Sequence, residues 1–292
     1  MPLAKLQFNP GLNREVTSYS NEGGWVDCDK IRFRLGYPEK IGGWQKYSSS
    51  TYLGSARSLH NWIALDGSNF LGVGTHLKYY IEEGGAFNDI TPIRSATSAG
   101  DVTFSATDGS ATITVTDTSH GANENDFVTF SGAVSLGGNI TADVLNANHQ
   151  IVSVPDADTY TFVASATANS SDTGNGGASV VGSYEINVGL DTTVGGTGWG
   201  SGTWGRGTWG SSSSLTTSTE LRLWSHDNFG EDLIINPRDS GIYYWDKSNG
   251  LSTRAIELST RSGTPTSVPQ VAKQILVSDQ DRHVIAFGSD GL

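Results

Sequence analysis

Two stretches of this chain repeat one layout. Ser58–Gly85 reads SLHNWIALDGSNFLGVGTHLKYYIEEGG, and Leu221–Gly250 reads LRLWSHDNFGEDLIINPRDSGIYYWDKSNG. Each parses as strand, Gly- or Asp-bearing turn, strand, turn and aromatic strand, the last being Leu77-Lys78-Tyr79-Tyr80 and Ile242-Tyr243-Tyr244-Trp245. A third copy begins at KQILVSDQDRHVIAFGSDGL, with strands expected near residues 274–278 and 282–288. Short runs of this kind bury an apolar face only by pairing antiparallel and stacking on another sheet. The layout predicts an all-β fold: a propeller-like antiparallel meander, incomplete within this chain. The third copy stops at Leu292 before its next strand, so further polypeptide is expected to follow, or a second chain to complete the sheet.

The first two copies start 163 residues apart, and what lies between differs in character. Over residues 111–116, Ala111, Ile113 and Val115 alternate with Thr112, Thr114 and Thr116, as half-buried strands do. Further strands are expected at 149–154 and 159–164, around the turn Pro155-Asp156-Ala157-Asp158. Lysine is absent from this segment. Residues 1–94 carry 10 basic and 9 acidic side chains, residues 95–215 carry 1 and 11, and residues 216–292 carry 7 and 10. These shifts predict an N-terminal region with a first blade over 1–94, and an inserted small β-barrel or β-sandwich over 95–195. A Gly/Trp-rich linker over 196–215 and further blades over 216–292 complete the expected order.

The linker contains GTGWGSGTWGRGTWGS, with Trp199, Trp204 and Trp209 at five-residue steps. That step places the rings on one face of neither a strand nor a helix. Three readings stay open: the indoles anchor the segment to this chain or a neighbouring copy, they stack on sugars, or they have no fixed partner. Near the N-terminus, Lys30-Ile31-Arg32-Phe33-Arg34-Leu35 alternates cations and apolar residues. As a strand it buries Ile31, Phe33 and Leu35 and presents Lys30, Arg32 and Arg34 on the other face. That face is either ordinary solvent-exposed surface or a contact for an acidic partner or phosphates.

Motifs for catalysis are missing. The six histidines show no HExxH or HxH spacing, and there is no GxSxG or phosphate-loop pattern. Cys28 sits between Asp27 and Asp29, whose charges disfavour a thiolate. Asp279-Gln280-Asp281 and Asp156-Ala157-Asp158 lack the rest of a calcium loop and read as turns. No catalytic residue, metal or cofactor is expected. A net charge of −12 argues against tight nucleic-acid binding and leaves room for a surface that DNA slides past. No apolar run is long enough for a membrane-spanning helix.

The run NPGLNREVTSYSNEGGWVDCDKIRFRLGYPEKIGGW resembles the opening of the tail nozzle, or packaged-DNA stabilisation, proteins of short-tailed bacteriophages. The resemblance returns in LHNWIALDG, GVGTHLKYY, DNFGEDLIINPRDSGIYYW and VSDQDRHVIAFGSDG, and the inserted segment is similar to small β domains of such virion proteins. It implies a structural virion protein with a propeller, made in the host cytoplasm and built into the tail. Such a protein forms a homo-hexameric ring, meets portal and adaptor proteins and tail fibre or tail tip proteins, and extends the DNA ejection channel. The alternative is a carbohydrate-binding tail protein that contacts the host surface; a glycan-cleaving enzyme stands third.

Overall fold

A computed structural model describes residues 8–17, 19–43, 45–191, 221–261, 263, 267–278 and 280–289. The chain divides into two units, Met1–Ser49 and Ser50–Leu292. In the first, β1 (Ile31–Arg34) and β2 (Tyr37–Lys40) form a hairpin. Its two-residue loop has Leu35 at φ 51° and Gly36 at φ 84°, the twist that suits a tight hairpin. Trp25 packs between Phe8 and Phe33, with ring centroids 5.7 and 6.0 Å away.

The larger unit is built almost wholly from antiparallel sheets, as the all-β reading expects. Strands β3 (Ala56–Ile63), β4 (Asn69–Thr75), β5 (Tyr79–Glu83) and β6 (Ala86–Asp89) pair in sequence order. Next come β7 (Ile93–Ala96), β8 (Thr103–Ala106), β9 (Thr112–Thr116) and β10 (Phe127–Ser131). They continue into β11 (Asn148–Ser153), β12 (Thr159–Val163), β13 (Asp172–Asn175) and β14 (Val181–Glu185). A second meander follows with β15 (Trp224–Phe229), β16 (Asp232–Pro237), β17 (Tyr243–Trp245) and β18 (Ile256–Glu257). The hairpin β19 (Gln274–Val277) and β20 (Val284–Phe287) comes last.

The two four-stranded meanders bury their apolar faces against each other. Trp62, Phe70, Tyr79 and Ile81 of the first share one core with Trp224, Leu233, Ile235 and Trp245 of the second. The far face of the second meander, with Ile234 and Tyr244, packs on Ile275 and Val277 of β19. Period-two alternation thus gives the middle sheet two buried faces. Two indoles tie the first pair reciprocally: Trp62 Nε1 donates to the Glu231 carbonyl at 3.1 Å, and Trp224 Nε1 donates to the Thr75 carbonyl at 2.7 Å. Gly74 makes the second tie possible, because a Cβ there would lie 2.5 Å from the Trp224 ring.

Strands β7–β14 form one eight-stranded sheet in the order β13-β8-β9-β12-β11-β10-β14-β7. Four steps separate β8 from β10, roughly 19 Å in a flat sheet. Yet the Phe104 and Phe130 ring centroids are 4.9 Å apart, so the sheet curls around its own core. The register shifts between Ile151 and Ser153, where β11 passes from pairing β10 to pairing β12. On β9 the alternation runs as expected, with Ile113 and Val115 buried and Thr112 and Thr116 exposed.

Candidate functional site

The hairpin places the three cations differently from one another. Arg32 and Arg34 are exposed on one face, with Ile31 and Phe33 half-buried on the other. Lys30 lies before the strand with φ 57° and its Nζ 3.8 Å from Asp29, so it leaves the row that alternation assigned it. Arg32 pairs across the hairpin with Glu39 at 3.1 Å. Leu35, expected to be buried, is 92% exposed, because the two-residue turn takes it out of the strand. Exposed Tyr37 is the cross-strand partner of Arg34. The tip therefore joins Arg34, Leu35 and Tyr37. Trp199, Trp204 and Trp209 lie outside the described residues.

Where the curled sheet meets the meanders, four charged groups converge. Lys78 Nζ is 2.7 Å from Asp89 Oδ2 and 2.8 Å from Glu185 Oε1. Arg254 reaches the same two carboxylates, each at 3.0 Å. Asn148 Oδ1 accepts from Lys78 at 3.1 Å, and the ammonium lies 4.3 Å from the Phe127 ring centroid. Lys78 and Glu185 are buried. Two cations meet two anions, so the cluster is neutral, the condition under which charges persist away from water. It joins the β4–β5 turn, β6, β14 and the segment before β18. Sequence reading misses it; the faint signal is a lysine within the aromatic run Leu77–Tyr80.

A second polar cluster lies inside the curled sheet. Tyr160 and Tyr184 hydroxyls are 2.8 Å apart, and Tyr184 donates to Asp117 Oδ2 at 2.5 Å. Burial raises both phenols above their ordinary value, so they stay protonated donors. Arg94, the sole cation between residues 93 and 191, is turned onto this cluster. Its guanidinium lies 5.2 Å from the Tyr184 ring centroid and donates to the His120 carbonyl. Asp101, Asp108, Glu124, Asp143, Asp156 and Asp158 face solvent. The described surface of the curled sheet is thus anionic.

Carboxylates paired for glycoside cleavage need one member held protonated. One carboxylate pair beside a cleft does the reverse. Lys247 Nζ bonds Asp66 at 2.7 Å and Glu231 at 3.0 Å, beside a cleft of about 640 Å³ lined by Glu231, Asp232, Tyr244 and Arg282. Its hydrogen bond holds Asp66 down at about 2 and lowers Glu231 as well. Glu231 also accepts from the Leu65 backbone N–H, which makes the trio a clip between two sheets. Between the meanders, Tyr79 Oη lies 2.7 Å from His226 Nδ1, and the His60 and His226 ring centroids are 5.0 Å apart. Burial first, then the neighbouring His60, pushes His226 down to about 4.

Among the described residues, no three His, Cys, Asp or Glu side chains gather as metal ligands. No described helix is long and apolar enough to cross a membrane. No protein-family profile matches the chain. No curated protein matches it either. Among solved structures, the chain is similar to the "Phage phi92 endosialidase", with a TM-score of 0.25 and 14% identity over 76% of this chain. The match spans 32% of that protein's length, and likeness at this level is too slight to transfer a fold or an activity.

Proposed function

We propose that this chain is a structural virion protein of a phage tail nozzle. It assembles as a homo-hexameric ring that extends the DNA ejection channel and helps retain packaged DNA, and it works without turnover. The observation that carries this reading is the anionic curled sheet, whose one cation is turned inward. A wall of that sign repels phosphates and lets DNA pass without lodging. The N-terminal resemblance supports the same assignment, as does the engagement of Asp66 and Glu231 by Lys247. The ring meets portal and adaptor proteins on one side and tail fibre or tail tip proteins on the other.

The test is sedimentation velocity of the full-length chain, combined with labelling of purified particles by an antibody against it. Rings of uniform size and label at the tail are expected, with no retention of duplex DNA in a gel shift at physiological salt. A lone monomer that labels no particle overturns the reading. A second reading, binding of host-surface carbohydrate, rests on the cleft beside Tyr244 and Arg282. Its test is a glycan array, followed by incubation with host polysaccharide. Binding to an intact ring favours this reading, and shortened chains reveal an enzyme.

A further inference from the structure

Copies of a chain with net charge −12 repel one another, so a ring needs local attraction at each contact. The cations of the sequence are densest over residues 30–40, where Lys30, Arg32, Arg34 and Lys40 stand against one acid in the span, Glu39, for a net +3; Asp29, just before it, lies 3.8 Å from Lys30 Nζ. Residues 1–49 as a whole carry 7 basic and 5 acidic side chains, against 11 and 25 for residues 50–292. Nothing in the assignment of a nozzle says which surfaces meet. The hairpin has the chemistry of one of them.

Two observations converge on its tip. Leu35 is 92% exposed and Tyr37 is 76% exposed, side by side with exposed Arg34. Leu35 holds a left-handed backbone, φ 51°, that costs a leucine about 1 kcal/mol and an Asn or Gly much less. The turn thus holds an apolar side chain out in water in a conformation that favours Asn or Gly, which leaves it free to make a contact. The N-terminal unit also leaves Tyr19 93% and Tyr47 81% exposed. An apolar tip beside Arg34, on a hairpin that carries Lys30 and Lys40 at its other end, fits a surface of opposite charge.

We infer that the β1–β2 hairpin of one copy docks on the anionic curled sheet, β7–β14, of a second copy. This rests on the ring reading and names its contact. Two unlike patches on one chain make a head-to-tail interface, the kind that repeats around a closed ring. Leu35 and Tyr37 supply the desolvated centre. Arg34, Lys30 and Lys40 face part of that sheet's exposed carboxylates, Asp101, Asp108, Glu124, Asp143, Asp156 and Asp158, and the acids left uncovered keep the channel wall anionic.

Zero-length carbodiimide cross-linking tests this on the full chain, with ¹⁵N-labelled and unlabelled protein mixed as monomers and then concentrated. The expected products join Lys30 or Lys40 to carboxylates of residues 101–158 in mixed-isotope pairs. The double substitution Arg34→Glu with Leu35→Asp removes them and weakens self-association about 10- to 100-fold, with an unchanged circular dichroism melt. Same-isotope products alone mean that the hairpin folds onto its own body, and they overturn the inference. So do cross-links to any other surface, or their absence. Rings that persist in the double variant overturn the docking and leave the nozzle reading standing, whereas wild-type monomers at high concentration overturn both.

Discussion

At the scale of single residues, His226 shows how burial sets a chemical limit on the fold. Its folded-state value near 4 lies below the ordinary 6.5, so the unfolded chain takes up the proton first as pH falls. Stability from this ring is complete above pH 6.5 and is lost progressively down to pH 4, by about 3 kcal/mol. His149, also lowered by burial, adds to the slope in the same direction. Urea midpoints measured at neutral and mildly acidic pH should therefore fall steeply for wild type and less steeply for His226→Gln; equal slopes would refute the assignment. Gly74 sets a steric limit. A Cβ 2.5 Å from the Trp224 ring and 2.6 Å from Ser58 Oγ forces one of them to move, so Gly74→Ala is expected to cost about 1–3 kcal/mol in a thermal melt. Leu35 shows where reading by alternation fails: the pattern puts it in the core, and the two-residue turn that includes Gly36 overrides the pattern.

Among elements, the neutral cluster at the junction carries the clearest consequence. Lys78→Met leaves Asp89 and Glu185 with Arg254 as their remaining counter-charge, and is expected to cost about 3–5 kcal/mol. Adding Glu185→Leu restores a matched Arg254–Asp89 pair, so the double variant should lose much less than the sum of the two single losses. Guanidinium unfolding of the four proteins checks this, and strictly additive losses would count against a shared cluster. The strands themselves are largely legible in the sequence. Residues 112–116, 148–153 and 159–163 announce β9, β11 and β12 through alternation around turn residues. The fourth strands are not: Ala-Phe-Asn-Asp of β6 and Ile-Glu of β18 are too short to show a period. Lys78 and Glu185 lie 107 positions apart, and no local pattern joins residues that meet only because a sheet curls back.

For the molecule as a whole, charge is the dominant long-range term. An excess of 12 negative charges destabilises the compact state by self-repulsion. Raising sodium chloride from roughly 0.01 to 0.15 M shortens the screening length from ~30 to ~8 Å, so the melting temperature should rise by a few degrees in calorimetry. A fall would mean that attractive ion pairs outweigh the repulsion. Connectivity has an effect of its own. The strand that leaves the first meander, β7, pairs with β14, the strand that comes back: Ser95 lies opposite Tyr184, and Ala96 opposite Ser183. Seen from the stacked meanders, everything between Ala96 and Val181 is a closed excursion that departs and returns at a single doorway. A lineage can trade that cassette for another of different shape while Glu185 stays with the stack, provided the newcomer covers the Lys78 ammonium as Asn148 and Phe127 do.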